Sequence, residues 1–581
     1  MLKKILNKIV AFFFVISAMG QNVQDSSQYS GLVQGIGVEG IYIHYNTNLL
    51  FTGEYLHFKL YALNKKSQSL SMASKVAYVE LLNGQGEREL IQKVKLIDGM
   101  GQGDVFIPTS LNSGYYTLVA YTNYMKNWPS DTFYADDIVV VNPYTNDQKV
   151  FWGTTVSEKG QYIEQKNNYK EQILNSELTL ALDKKVYGKR DKVSLKIETK
   201  PNNYGIYSVS VRRIDQELYF DRRYDPKDYL KNFASVDFTP SEYKYLPELR
   251  GELVSGSVMG DNGLAMPNTK FVFSLPGSQY EFRFARTDSF GKFRFSLNSE
   301  NLDTKSIFQV WGGQQDKYSV EVAPIPDLEL KRKAPKQFVL ERSMKSLIEE
   351  RSTYNQIENA YFNSKPDTVL LKNDFVPIYG NDFTEYKLDE YTRFPTFKET
   401  LVEIVDNAWI ATNIEGEESI FVRDFQATNM DAGYAPLVIV DGIVLQDHTD
   451  LIGYDINMVE SIVLARNQFV VGGQIFQGIF DVKTFDEDFA MSYQQTDLKN
   501  IELIRPQAQK KYFRQDYSVR SFETIPDFRQ QLLWEPNMEL SKPASTIHFF
   551  TSDSVGEFEI VIEGFTKGMQ PIKAVQYFTV E

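Results

Sequence analysis

The sequence predicts a mainly β protein: several antiparallel β-sandwiches, a small α+β region and one short helical segment. Three observations carry that expectation. Apolar and polar residues alternate with period two in segment after segment, turn residues separate the runs, and the aromatic content is high, with 35 Tyr and 40 Phe, which favours pleated, buried surfaces. At 581 residues the chain has room for about four domains of roughly 150 residues each.

MLKKILNKIVAFFFVISAMGQ opens the chain. Lys3, Lys4 and Lys8 precede an apolar run from Ile9 to Ile16, and Ala18 and Gly20 are small residues suited to cleavage before Gln21. This is the pattern of a secretory signal over 1–20, too short to span a bilayer. Residues 21–36 read as a flexible lead. In EYLHFKLYAL, Leu56, Phe58, Leu60 and Ala62 fall on one face, with Tyr55, His57, Lys59 and Tyr61 on the other. KVAYVELL and YYTLVAYTNY alternate in the same way, so 37–145 reads as a first sandwich. Residues 146–176 are rich in Asn, Gln, Lys and Tyr and read as a linker. Val193, Leu195 and Ile197 alternate in VSLKIE, Tyr207, Val209 and Val211 in YSVSVRR, and Phe293, Phe295 and Leu297 in KFRFSL.

Between 338 and 405 the period changes. Met344, Leu347, Ile348, Arg351, Tyr354, Ile357 and Tyr361 recur at helical spacing, and Thr396 with Glu399 forms a capping box for a second helix. These stripes read as packing faces within a helical connector over 327–412.

Formal charge of −14 argues against a phosphate backbone as main partner. The chain has no cysteine, which excludes disulfides, thiolate metal sites, cysteine nucleophiles and a lipid-modified mature terminus. The glycines of LIDGMGQGDVFIP precede a strand rather than a helix, so a phosphate loop is not expected. None of the four histidines, His44, His57, His448 and His548, shows a metal-binding spacing; His57 reads as a surface or interface residue. No G-x-S-x-G elbow occurs. The adjacent acids Asp136-Asp137, Glu349-Glu350 and Glu417-Glu418 read as solvated faces, since neighbouring side chains diverge on strand and helix alike. No catalytic, cofactor-binding or metal-binding residue is assigned, no cofactor is expected, and the chain is read as a non-enzyme.

Several spaced motifs resemble known families. YIHYNTNLLFTGEYLHFKLYALN, then VAYVELLNGQGE, then SLNSGYYTLVAYTNYMKNW resemble the first substantial sandwich of bacterial alpha-2-macroglobulin-like proteins. Gly53-Glu54 matches its turn, and Gly114, Tyr116, Leu118, Ala120 and Tyr121 match its following strand. SELTLALDKKVYGKRDKVSLKIE and the C-terminal IPDFRQQLLWEPNMEL resemble two parts of a later sandwich, so 177–245 and 516–581 are expected to fold together around an insertion. Within it, ELVSGSVMGDNGLAMPNTKFVFSLPG and TDSFGKFRFSL are similar to the carboxypeptidase-regulatory-like, transthyretin-type sandwich (246–326), a spacer or binding module. Gly263 suits its turn; Thr287, Asp288, Gly291, Phe293 and Phe295 match its hairpin.

PLVIVDGIVL, followed by YDINMVESIVLARNQFVVGGQIFQGIFDVKTF, resembles the plug of TonB-dependent outer-membrane receptors over 413–490. Asp441-Gly442 is then a structural hairpin turn of type I′, with positive φ at both residues, rather than a catalytic carboxylate. Gly472, Gly473 and Gly478 match the closing turns. The resemblance implies a plug-like module without its own barrel, joined through a linker at 491–515 to the last sandwich piece.

The combination implies an exported, non-catalytic scaffold or binding protein of a Gram-negative envelope, periplasmic or outer-membrane associated. Its expected partners are outer-membrane proteins, a TonB-dependent receptor-like or other barrel complex serving transport, secretion or barrel assembly. It would meet the membrane through proteins rather than a transmembrane segment, and no nucleic acid is expected. Tyr124 and Trp128 are the candidate interface residues, read as an exposed aromatic patch. Two alternatives stand beside this reading. One is a protease-binding macroglobulin-like protein, with 146–176 as an exposed bait and no thioester because cysteine is absent. The other is a glycan-binding surface protein.

Overall fold

The computed structural model describes residues 35–151 and 177–581 except 221, 241, 278, 299–303, 313–316, 331–333, 371–374, 413–415, 426–433, 488, 490–497 and 520–521. The signal-like segment, most of the lead and most of the 146–176 linker lie outside the described residues. Strands dominate the rest, in many small sheets with few helices, so the mainly β fold class holds.

The chain divides into two compact units. One, here the sandwich unit, takes the described residues up to Leu249 together with Pro326–Leu371 and Pro506–Glu581. The other, the inserted unit, takes Arg250–Ile325 and Lys372–Arg505.

The first part of the sandwich unit pairs strand Tyr55–Asn64 with Glu39–Tyr45, Ser69–Leu70 and Met100–Phe106. A second sheet runs in the order Leu49–Phe51, Tyr134–Val141, Gly114–Tyr121, Val76–Leu82, Arg88–Lys95 and Pro506–Gln507. Strand Gly205–Ile214 lies between Gln531–Leu540 and Gly556–Thr566, and Lys192–Thr199 lies between Leu178–Leu182 and Ala544–Phe550. Strands from both sides of the insertion therefore share two sheets. They close over one core that includes Val193, Leu195, Ile197, Tyr207, Val209 and Val211 with Leu533, Ile560 and Ile562. The alternation visible in VSLKIE and YSVSVRR is this inward face.

In the inserted unit, Glu252–Gly260 is flanked by Lys292–Leu297 and Tyr318–Val322. Phe293, Phe295 and Leu297 face Phe271, Phe273 and Phe308 in its core. A mixed sheet runs Thr384–Lys387, Val459–Val471, Gln474–Thr484, Leu437–Val440, Ile443–Leu445, with Leu437–Val440 parallel to Gln474–Thr484. Between Val440 and Ile443, Asp441 has φ 47° and Gly442 φ 84°, the backbone of a two-residue I′ hairpin. Asp441 does more than turn the chain. Its Oδ1 accepts from the Thr484 amide at 2.8 Å, and its Oδ2 accepts from the Thr484 hydroxyl at 2.6 Å and the Phe489 amide at 3.2 Å. Burial pushes its carboxyl pKa up against those donors. Asp441→Ala loses all three bonds and puts alanine at a positive φ that a short polar side chain tolerates better. The expected cost is about 2–4 kcal/mol, read as a lower urea midpoint for the inserted unit.

Five local expectations change. Strand Tyr55–Asn64 does not leave its polar side to water: Lys59 and Tyr61 are buried, because groups of the second sandwich cover them. Tyr61 donates to the Glu563 carbonyl at 3.1 Å and Lys59 Nζ to Asn537 Oδ1. Tyr124 and Trp128 form no exposed patch. They meet edge to face at 4.9 Å between centroids and are buried with Val236, Tyr243 and Leu246; the Trp128 indole donates to the Phe238 carbonyl at 3.1 Å. The long segment after the second sandwich's early strands folds back on them, which no local pattern foretells. Asp136 and Asp137 are not solvated but buried. Asp136 accepts from the Tyr45 hydroxyl at 2.6 Å, and Asp137 pairs with Arg223 at 2.6 Å. Residues 498–511, read as linker, contain three short strands, Leu498–Glu502, Pro506–Gln507 and Lys510–Lys511, each paired to a distant strand. Finally, the helical stretch is divided. Helix Lys345–Ala360 belongs to the sandwich unit, whereas helix Phe397–Glu403, capped by Thr396 through the Glu399 amide at 3.2 Å, belongs to the inserted unit.

Candidate functional site

A cleft of about 230 Å³ opens in the sandwich unit. Its walls come from the turn and strand at 53–57, helix Lys345–Ala360 with the turn after it, Tyr512, and the start of strand Gln531–Leu540. On the helix, Arg351, Asn355, Glu358 and Asn359 lie at i, i+4, i+7 and i+8, so they share one face. Arg351 forks onto Glu54 at 2.7 and 2.8 Å and also donates to the Leu49 carbonyl at 3.0 Å. Asn355 and Asn359 donate to the Thr52 and Gly53 carbonyls, each at 3.0 Å. The helix thus holds the turn through its backbone oxygens.

Gly53 sits in that turn with φ 92°, and an added β-carbon would lie 2.6 Å from the Asn355 amide nitrogen. Gly53→Ala is therefore expected to cost about 1–3 kcal/mol and to loosen the cleft wall. A lower thermal midpoint, with faster hydrogen exchange at 50–56, checks it.

Four rings descend into the cleft in near-parallel steps. Phe362 and Tyr55 lie 5.8 Å apart at 9°, Tyr55 and His57 6.0 Å at 16°, and His57 and Trp534 6.0 Å at 23°. Tyr512 meets His57 edge-on at 5.0 Å. Phe362 is 47% exposed at the mouth and Trp534 only 3% exposed at the bottom. Two polar atoms there have no protein partner: Trp534 Nε1 and His57 Nδ1. Burial pushes the His57 pKa down to about 4, with Asp104 opposing that and Lys510 assisting, so the imidazole is neutral at neutral pH.

The charged groups of the cleft are joined in pairs. Lys365 meets Glu358 at 2.6 Å and Asp527 at 3.4 Å, Arg529 forks onto Asp527 at 2.7 Å, and Arg213 meets Glu350 at 2.8 Å. Burial pushes the Asp527 carboxyl up, but the guanidinium of Arg529 outweighs it and holds the group well below the carboxylate range. Burial raises Glu358 and Asp367. The arrangement positions rings and dipoles; its carboxylates are engaged by cations or backbone amides, as Asp367 is by the Phe513 amide at 2.9 Å.

A second polar assembly joins the two sandwiches within this unit. The buried Glu563 accepts from the Tyr42 hydroxyl at 2.7 Å and lies 3.2 Å from Arg222, 3.5 Å from Lys573 and 4.0 Å from His44. His44 Nδ1 is 2.6 Å from the Ser208 hydroxyl, and burial pushes its pKa down to about 3. Burial alone would raise the Glu563 carboxyl; His44, Arg222, Lys573 and the Tyr42 hydroxyl together bring it to about 2. Since the imidazole is neutral at neutral pH, the permanent guanidinium of Arg222 is the partner that counts there.

Of the residues singled out in the sequence, Gly53, Glu54, Tyr55, His57 and Arg351 reach the cleft. Tyr124, Trp128, Asp441 and Gly442 do not line it. His448 Nδ1 accepts from the Ile420 amide at 3.1 Å, and His548 meets Ser194 at 3.1 Å. Among the described residues, no three His, Asp or Glu side chains come together as a metal site, and no helix is long and apolar enough to cross a membrane. Phe362 and Tyr512 carried no recognisable motif; Trp534 lay within the sandwich-like IPDFRQQLLWEPNMEL without standing out, and Arg351 stood out only as one member of a helical stripe.

No protein-family model matches the chain, and no curated protein matches it. Among solved structures, it is similar to Salmonella alpha-2-macroglobulin reacted with methylamine, at 7% identity and TM-score 0.23, over 93% of this chain and 39% of that one. It is also similar to the native conformation of E. coli alpha-2-macroglobulin, at 8% identity and TM-score 0.24, over 94% of this chain and 40% of that one. The E. coli adhesin FdeC matches 30% of this chain and 46% of its own, at 13% identity and TM-score 0.14. The chain spans about two-fifths of the length of these macroglobulins.

Proposed function

We propose that the chain is an exported, non-catalytic scaffold that presents preformed surfaces to protein partners, and that it docks onto an outer-membrane barrel complex. The observation that carries the scaffold reading is the junction of the two sandwiches. There the buried Glu563 carboxylate is engaged by the half-buried Arg222 and Lys573 and by the Tyr42 hydroxyl, which fixes a shape and leaves little acid–base capacity. Export is supported by the charged-then-apolar order of the first 20 residues. The barrel partner is supported by the plug-like order of motifs around Asp441-Gly442.

The test is affinity capture of a tagged chain from detergent-solubilised envelopes, followed by identification of what co-elutes in fixed proportion. A barrel protein in stoichiometric amount is the expected result. Recovery of the chain as a free monomer, or turnover of a substrate abolished by one point substitution, would overturn the proposal.

A further inference from the structure

Among the cations that line the cleft, one stands apart. Arg213, Arg351, Lys365 and Arg529 each meet a carboxylate at 2.6 to 2.8 Å. Among the described residues, Arg212 is the one cation of the lining that does not. Its Nη1 donates to the Thr47 hydroxyl at 2.7 Å, which fixes the plane of the guanidinium. The carboxylate beside it, Glu559, keeps its Oε2 3.9 Å from Nε, beyond hydrogen-bond reach, and Glu559 Oε1 accepts from the Tyr577 hydroxyl at 3.2 Å. The edge of Arg212 that carries Nε and Nη2 is therefore open, and that two-donor edge matches a carboxylate. Trp534 Nε1 and His57 Nδ1 are sealed from solvent, whereas the Arg212 side chain keeps 18% of its surface open in the wall of the cleft. Burial pushes its pKa down; Glu559 opposes that, and the guanidinium groups of Arg222 and Arg351 add to it. An arginine does not give up its proton, so this corner of the cleft is short of negative charge. Two amide oxygens of the same walls, Gln531 Oε1 and Asn359 Oδ1, accept from no described residue. Their NH₂ groups are spent on the Leu533 carbonyl at 2.7 Å and the Gly53 carbonyl at 3.0 Å.

We propose that the cleft binds the C-terminus of a peptide that ends in an apolar residue, with the terminal carboxylate on Arg212 and backbone N–H groups donating to the open amide oxygens. A carboxylate supplies the single negative charge that one unbalanced guanidinium calls for. A phosphate carries more, and the further cations it needs are already held by Glu54 and Glu358. A fatty acid brings the carboxylate but no N–H for the amide oxygens. A neutral ligand leaves Arg212 unbalanced. The exposed Phe362 at the mouth gives the last side chain an apolar surface. The volume, about 230 Å³, lies below the 300–1,000 Å³ range of sites that engulf whole drug-sized ligands, which suits the last one or two residues of a chain that continues outside. This inference goes beyond the scaffold reading and does not depend on a barrel partner.

Titration calorimetry of the whole chain tests it with four probes: acetyl-Ser-Ala-Phe with a free carboxyl terminus, the same peptide amidated, decanoate, and inorganic phosphate. The expected result is saturable binding of the free-acid peptide below millimolar concentration, tighter than each of the other three by about tenfold or more. Arg212→Gln removes the charge and should weaken the free-acid peptide by about tenfold to a hundredfold, with the amidated peptide unaffected. Phe362→Ala, at an exposed position, should weaken both peptides by about fivefold without changing the thermal midpoint. The inference fails if the free-acid peptide does not bind at millimolar concentration, if amidation leaves its affinity unchanged, or if decanoate or phosphate binds more tightly. It also fails if Arg212→Gln, folded, keeps the affinity of the original chain. The comparison of acid with amide needs no substitution, so it stands even where Arg212→Gln does not fold.

Discussion

Glu563→Gln should destabilise the sandwich unit by about 3–5 kcal/mol, the range for removing one partner of a buried ion pair. The glutamine keeps the volume and still accepts from the Tyr42 hydroxyl, so packing is preserved. What it removes is the negative charge facing Arg222 at 3.2 Å and Lys573 at 3.5 Å. Arg222 cannot lose its proton to compensate, and its guanidinium is also committed to the Tyr45 carbonyl and the Tyr45 ring, 4.3 Å from the centroid. A charge held there by geometry and left without a counter-ion is the expensive outcome. The double substitution Glu563→Leu with Arg222→Leu should recover most of the loss, because replacing both members of a buried pair by apolar groups is often close to neutral. Urea midpoints of the two variants measure this. A loss below about 1 kcal/mol in the single variant would place the network on the level of a surface ion pair and remove its role in joining the sandwiches.

The same network shows what could be read in the sequence and what could not. Period-two alternation reports which residues of a strand share a face, so Val193, Leu195 and Ile197, or Phe293, Phe295 and Leu297, were legible as inward-facing. The Asp441-Gly442 corner was legible because positive φ at both residues is a local requirement of the turn. Alternation does not report what covers the other face. Lys59 and Tyr61 look like solvent-facing residues until Ser208, Asn537 and Glu563, far away in sequence, are laid on them. Tyr124 and Trp128 failed as an interface for the same reason. Aromatic residues suit both a docking patch and a buried cluster, and only the later segment carrying Tyr243 and Leu246 decides between the two. The cleft was invisible because its rings come from four separate stretches, around 55, 362, 512 and 534, and none of these carries a spacing that chemistry demands. The clamp made by Asp441 on Thr484 and Phe489 was hidden likewise: the turn is local, its hydrogen bonds are not.

Lowering the pH from 7 toward 4 should unfold the sandwich unit before the inserted unit. In the sandwich unit, burial holds His44 at about 3 and His57 at about 4, against an ordinary value of 6.5. Below pH 6.5 the unfolded chain binds protons that the folded chain refuses, so stability falls as pH falls, over 6.5 to 4 for His57 and on to 3 for His44. Glu563, with a folded value of about 2 against 4.5, contributes stability above pH 4.5 that is lost on the way down to 2. All three act in one direction, and each histidine represents several kcal/mol, at about 1.4 kcal/mol per pKa unit; Asp136, Glu358 and Asp367, raised by burial, oppose them. In the inserted unit the signs are mixed. His448, held at about 4 by burial, acts like the other histidines. Asp481 acts against it: burial raises its carboxyl to about 7, while the hydroxyls of Tyr280 and Tyr379, at 2.5 and 3.1 Å, pull it back. A carboxyl that is easier to protonate in the fold than out of it favours the fold as pH drops from 7 to 4. Hydrogen exchange at pH 7, 5.5 and 4 separates the units, because protection is lost where local unfolding begins. Strands 39–64 and 205–214 should lose protection at higher pH than strands 437–440 and 474–484. The reverse order would mean that His44 and His57 are hydrated in the fold, and the packing of one sandwich sheet on the other would have to be looser than their burial implies.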